Sequence, residues 1–173
     1  GGSTISQQLA KQLYSTRAEN TGQRLLQKPV EWAIAVELEK QFTKQEIMTL
    51  YLNYFDFLYN AVGIKTAAKV YFNKHPQDLT INEAATLIGM CKNPAYFNPV
   101  RQPERTRGRR NIVLEQMEKA GYLTSAQVEA LKKEPLTLDF HRLDFKDGKA
   151  TYMREFLRQI MKATKPNKED YKE

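Results

Sequence analysis

At Thr4–Gln7, Thr43–Glu46, Thr80–Glu83 and Thr124–Gln127 a threonine stands three residues ahead of a glutamine or glutamate and just before an apolar, helix-spaced run. Each pair has the pattern of a capping box. The threonine hydroxyl accepts from an open N–H of the helix's first turn, and the longer side chain reaches back to the threonine N–H. A chain with four such starts is built from helices, and its apolar spacing agrees. A first helix is expected from Thr4 to Tyr14, followed by a polar connection from Ser15 to about Gly22. A second begins at about Gln23 or at Pro29 and runs to Phe42, with Val30, Ala33, Ile34, Leu38 and Phe42 near helical spacing. Pro29 either opens this helix or kinks it.

Thr43 opens a third helix through Leu52, and an aromatic stretch of Tyr54, Phe55, Phe57 and Tyr59 ends at Gly63. That stretch fits the core, a lobe junction or a membrane interface. A short helix covers Ile64 to Phe72. The apolar helix from Thr80 through Cys91 is dense enough to be central and buried. Pro94, Pro99 and Pro103 make the segment from Asn93 to Pro103 an extended loop. A helix from about Glu104 to Ala120 ends at Gly121, in the position of a left-handed cap. Thr124 starts another short helix. Leu136, Leu138 and Phe140 alternate with Thr137, Asp139 and His141, which reads as a strand. A last helix is expected over Ala150 to Lys162, before a charged tail. The fold class is mainly α, with at most one small β element.

The chain has 173 residues and is 41% hydrophobic, enough for one domain with a core of its own. Its formal charge is +7, which favours anionic partners without choosing among them. Cys91 is the only cysteine and sits in an apolar run, so it reads as a buried small hydrophobe. His75 and His141 stand apart with no cysteine cluster, and no metal site is expected. No cofactor is expected either. No apolar run is long enough to span a bilayer. The chain starts directly on a motif and reads as a fragment whose N-terminus lies upstream.

Chemistry gathers in the opening stretch. Gly1 and Gly2 let the backbone approach a ligand closely. The first turn of the helix that follows favours an anion. Gln7 and Lys11, four residues apart, share a face, and Gln8 adds another donor. Such a helix start suits a phosphate or pyrophosphate, although a capped helix with solvated polar residues has the same pattern. Farther on, Lys28 and Glu31 are three apart and by themselves fit a surface ion pair. Glu37 and Glu39 fit solvent-facing positions. The arginines at 101, 105, 107, 109 and 110 fit an exposed helix face, toward anionic lipid heads rather than nucleic acid.

The run Gly1-Gly2-Ser3-Thr4-Ile5-Ser6-Gln7-Gln8-Leu9-Ala10-Lys11 closely resembles the G-G-S-T-I-T-Q-Q-L-x-K block of peptidoglycan glycosyltransferases, the polymerase domains of class A penicillin-binding proteins. Three further blocks follow in the family's order. Gln27-Lys28-Pro29-Val30-Glu31 is similar to R-K-x-x-E. Residues Lys44 to Asn53 are similar to K-x-x-I-L-x-x-Y-L-N, and Ala67 to Phe72 to R-A-x-x-Y-F.

The resemblance implies a lysozyme-like α domain with a large head lobe and a smaller jaw lobe. Its extent is 1–145, with 146–173 running out toward a following domain. It implies an enzyme that joins lipid-linked disaccharides (lipid II) into a growing glycan strand and releases undecaprenyl pyrophosphate. The implied place is the outer, periplasmic face of the bacterial inner membrane, with the anchor outside this chain. Glu31 matches the glutamate assigned to the acceptor–donor junction. Ser3, Gln7, Gln8 and Lys11 are implied contacts to the lipid-linked substrate. Lys28 is implied to neutralise the pyrophosphate, Arg24 is a further candidate phosphate ligand, and Asn53 and Tyr71 are implied to shape the site.

Departures from the pattern carry their own expectations. The family's leading motif, E-D-x-x-F-x-x-H-x-G, which bears the glutamate assigned as catalytic base, is not in this sequence, so the fragment by itself is expected to be inactive. Gln27 and Ala67 stand where the family has arginines. Two rival readings use other features: a glycan-cleaving lysozyme-like enzyme, against which Lys11 and Lys28 argue, and a basic helical module for anionic lipid or nucleic acid.

Overall fold

The computed structural model describes residues 4–14 and 21–143, with the backbone alone at 14 and 21–26. Seven α-helices carry the described residues: α1 (Ile5–Tyr14), α2 (Thr21–Gln41), α3 (Lys44–Tyr54), α4 (Ile64–Phe72), α5 (Ile81–Met90), α6 (Pro103–Lys119) and α7 (Ser125–Lys133). A single 3-10 turn, Pro76–Asp78, lies between α4 and α5. The helix expected at Ala150 to Lys162 lies outside the described residues. The chain divides into two compact units, residues 1–141 and 142–173, and all seven helices belong to the first.

All four capping boxes are present. Thr43, Thr80 and Thr124 each make both reciprocal bonds with their partners. At the start of α1, the Gln7 N–H donates to Thr4 Oγ1 and the Thr4 N–H donates to Gln7 Oε1, both at 3.2 Å. The end of α6 is equally local. Gly121 takes φ +80°, its N–H donates to the Glu118 carbonyl, and the Tyr122 N–H donates to that of Met117. This is the Schellman arrangement of a helix end. Pro29 does not open α2. The helix begins at Thr21 and runs across it, with one N–H missing from the ladder.

The helices pack as two groups. α1 lies against α2 and α3, while α5 lies against α4 and α6, and α6 against α7. Leu9 and Ala10 of α1, Ala35 and Leu38 of α2, and Ile47 and Tyr51 of α3 fill the first group. α5 is the central helix of the second, with Ala85, Leu87 and Met90 among its buried residues. Gly89 brings it close to α6, since a Cβ there would stand 3.1 Å from Arg109 Cγ.

The segment between α3 and α4 joins the groups. Leu58, Tyr59 and Asn60 all have positive φ, at 68°, 51° and 64°. Three consecutive non-glycine residues in that region are strained by about 1 kcal/mol each and persist only where neighbours fix them. Here the Leu58 N–H donates to Asp56 Oδ1, the Phe57 N–H donates to the Ala61 carbonyl, and Asn98 donates to the Tyr59 hydroxyl. Phe55 and Phe57 of the aromatic stretch are core residues, whereas Tyr54 is exposed.

Two sequence expectations are corrected. Leu136–His141 is not a strand; among the described residues the β pairing is an isolated antiparallel bridge between Asp56 and Val62. The alternation is real, since Leu136, Leu138 and Phe140 are half-buried and Thr137, Asp139 and His141 exposed. Its partner, however, is a helix end. The N–H groups of Asp139 and His141 donate to the carbonyls of Tyr71 and Val70, at 3.1 and 2.8 Å. Those carbonyls belong to the last turn of α4, which cannot satisfy them within the helix.

The arginine run is not one exposed face either. Arg101 and Arg105 are exposed and Arg107 and Arg109 half-buried, but Arg110 is fully buried. Its guanidinium donates to Asn111 Oδ1 and to the carbonyls of Leu131, Lys132, Glu134 and Pro135. Arg107 adds a bond to the carbonyl of Lys132. Together they satisfy the C-terminal end of α7, where a cation is favoured. Burial, and then the neighbouring Arg107, hold the Arg110 pKa below its ordinary value.

Candidate functional site

α1 is fixed by its buried face, Leu9 and Ala10, and its capped first turn. On the rest of its surface Gln7 and Gln8 are half-buried and Lys11 is exposed. The side-chain carbonyl of Gln7 serves the cap. That of Gln8 accepts from the Tyr51 hydroxyl of α3 at 3.1 Å. A tyrosine of α3 therefore anchors the acceptor end of a glutamine of α1.

On α2, Glu31 is 4% exposed, while Val30 and Trp32 beside it are 58% and 62% exposed. A carboxylate facing inward from a helix that turns two apolar side chains outward is the reverse of ordinary amphipathic patterning. Lys28 Nζ lies 2.9 Å from Glu31 Oε2, with the lysine stem reaching out to solvent. The pair puts a cation at the surface with a buried carboxylate behind it.

α1 packs directly against both α2 and α3, so the helices that carry Gln7, Gln8 and Lys11, Lys28 and Glu31, and Tyr51 and Asn53 are mutual neighbours. Asn53 is exposed in the last turn of α3. Gly63, at φ +83°, lies so close that a Cβ there would stand 2.6 Å from the Asn53 carbonyl oxygen. Tyr71 is fully buried and its hydroxyl donates to the Phe57 carbonyl at 2.6 Å, so it presents no surface for direct contact with a ligand, and any shaping of the site by it runs through the strained segment before α4. Ser3 and the side chain of Arg24 lie outside the described residues. Ala67, where the family pattern has an arginine, is fully buried.

A groove of about 400 Å³ opens beside this site, lined by Ile5, Ser6, Glu39, Phe42, Lys44, Ile47 and Met48. Its floor is mostly apolar, with Glu39 and Lys44 as its charged members. Glu37 and Glu39 are both exposed, as their positions on α2 suggested. Cys91, at the end of α5, is half-buried rather than fully so. Its thiol donates to the Leu87 carbonyl, and burial pushes its pKa up to about 12, so it stays protonated and unreactive near neutrality.

For two residues of consequence the sequence leaves the role open. Tyr51 is the tyrosine of the Lys44–Asn53 block, but nothing in that block says that its hydroxyl reaches α1. Arg110 reads as one charge in a run, although Thr106, Arg110 and Leu114 recur every four residues and are the buried stripe of α6.

Residues 1–118 match the family model described as Transglycosylase. The chain is 45% identical over 139 residues to penicillin-binding protein 1A of Aquifex aeolicus, covering 80% of this chain and 18% of that protein. It is 38% identical over 161 residues to penicillin-binding protein 1A of Escherichia coli, covering 93% of this chain and again 18% of the relative. It thus spans about a fifth of the length of these relatives. The crystal structure of penicillin-binding protein 1A from Haemophilus influenzae superposes with a TM-score of 0.54 and 26% identity, over 96% of this chain and 20% of that one. The helical, lysozyme-like class expected from the sequence is the class of the fold. With these likenesses running through the helices that carry the site, the chain belongs to the transglycosylase family.

Proposed function

We propose that this chain is a glycosyltransferase domain that takes part in polymerising lipid II into glycan strands for the bacterial cell wall. The observation that carries the reading is the buried Glu31 with Lys28 at its mouth, on a helix packed against the donor-bearing start of α1. In the reaction the C4 hydroxyl of the acceptor sugar attacks C1 of the donor. The new O–C1 bond forms as the C1–phosphate oxygen bond breaks, with inversion, and undecaprenyl pyrophosphate leaves with the electron pair. The hydroxyl proton goes to the glutamate of the family's leading motif, which is not among these 173 residues.

The residues present serve the other needs of that chemistry. Charge grows on the departing pyrophosphate and calls for fixed cations and N–H donors. Lys11 and Lys28 supply the cations, and Ser3, Gln7, Gln8 and Arg24 complete the set. The first turn of α1 adds its dipole and its leading N–H groups. In this reading Glu31 serves the junction of acceptor and donor, and Asn53, on the neighbouring helix α3, helps to shape the site.

The membrane setting belongs to the same proposal. Among the described residues no helix is long and apolar enough to cross a membrane. The exposed Arg101 and Arg105 suit contact with anionic head groups; Arg105 also lies over the Tyr96 ring, 4.0 Å from its centroid. The burial of Arg110 and the engagement of Arg107 weaken the nucleic-acid reading of the same run.

Equilibrium binding of labelled lipid II in detergent micelles tests the reading. The native chain is expected to bind, and Glu31→Gln and Lys28→Ala each to weaken binding about tenfold, the scale of a hydrogen bond to a charged group. Equal affinity in all three proteins would remove it.

A further inference from the structure

We infer that Tyr51 is a positioning residue of the proposed diphosphate site, acting through Gln8. The inference rests on the functional reading above and adds a residue that does not itself touch the substrate.

An amide side chain has a donor end and an acceptor end, and only the donor end suits an anion. Tyr51 takes the acceptor end of Gln8: the phenol donates to Gln8 Oε1 at 3.1 Å, so that end points to α3 and the NH₂ group is turned away from it. Lys11 lies three residues on, along the same side of α1.

The phenol is itself held. Tyr51 is 4% exposed, and its ring packs on Phe55 with centroids 5.4 Å apart. Phe55 packs on Phe57 at 4.9 Å, and the Phe57 carbonyl accepts from Tyr71. Ile47, one turn earlier on α3, is buried beside it. Burial, with the nearby Cys91 adding to it, pushes the Tyr51 pKa up to about 12, so the hydroxyl remains a donor throughout the neutral range. Gln8 is half-buried, which leaves it within reach of a ligand while it is held from behind.

The experiment combines side-chain amide NMR of Gln8 with inorganic pyrophosphate binding, on the whole chain and on Tyr51→Phe, Gln8→Ala and the double variant. In Tyr51→Phe without ligand, the Gln8 side-chain resonances are expected to move toward averaged values, and pyrophosphate affinity to fall roughly fivefold, as for one lost hydrogen bond. In the Gln8→Ala background, Tyr51→Phe is expected to have no further effect. Unchanged Gln8 resonances, or an equal loss of affinity with and without Gln8, would overturn the inference. If the native chain binds no pyrophosphate while the Gln8 resonances still move, the hydrogen bond stands, but the functional reading and Tyr51's place in it both fall. Gln8→Glu guards against a folding defect in Tyr51→Phe. It keeps an acceptor for Tyr51 but loses the NH₂, and should lose affinity at an unchanged melting temperature; full affinity would contradict the inference.

Discussion

Arg110 gives its donors to the carbonyls that end α7, and this one side chain ties α6 to α7 and to the segment that leaves it. Removing it leaves several carbonyls short of a donor. Arg110→Met is therefore expected to lower stability by about 3 kcal/mol, read from urea unfolding. Arg110→Lys should restore little, because one ammonium does not reproduce a planar fork aimed at carbonyls this far apart. A loss below about 1 kcal/mol for Arg110→Met, the typical effect of a point substitution, would contradict this role. The sequence hid it because charge is read as exposure. The four-residue spacing of Thr106, Arg110 and Leu114 was the available signal, but a charged residue in an apolar stripe does not register as part of it. Lys28 and Glu31 show the converse. Spacing alone gives a surface pair, and only the structure shows that one member is buried.

Helix starts and stops were legible because their causes are local. A capping box needs four residues, and the Schellman end of α6 is closed within six, Met117 to Tyr122. The failures were elements whose partners are distant. The alternation of Leu136 to His141 correctly gave a one-sided extended segment, yet nothing nearby in sequence says that its N–H groups close onto α4. The segment between α3 and α4 is similar. Its left-handed residues at 58–60 carry no glycine to announce them, and their conformation is imposed by Asp56, Ala61 and Asn98. Gly63 is the position where that segment meets α3. Gly63→Ala combines a positive φ with a Cβ 2.6 Å from the Asn53 carbonyl. It should cost about 2 kcal/mol or more in thermal unfolding. Native-like stability in that variant would show that the contact with Asn53 relaxes freely.

At the scale of the whole molecule, the proposed site belongs to one of the two helical groups, α1 to α3, and the second group holds it through the aromatic contacts of Phe55, Phe57 and Tyr71. The motif residues Gln7, Gln8, Lys11, Lys28 and Glu31 could be named from the chain alone. Tyr51 belongs to the Lys44–Asn53 block, but its role could not be named there, since the direction of its hydroxyl depends on how α3 packs against α1. The central claim is that the start of α1 and the lysines near it recognise a lipid-borne diphosphate. Competition against labelled lipid II tests it most directly, with undecaprenyl pyrophosphate and undecaprenyl alcohol as competitors, on the native chain and on a Lys11→Ala/Lys28→Ala double variant. The account predicts that the pyrophosphate competes strongly, that the alcohol competes weakly, and that the double variant loses the difference between them. Equal competition by the two lipids on the native chain, or an unaltered preference for the pyrophosphate in the double variant, would contradict it.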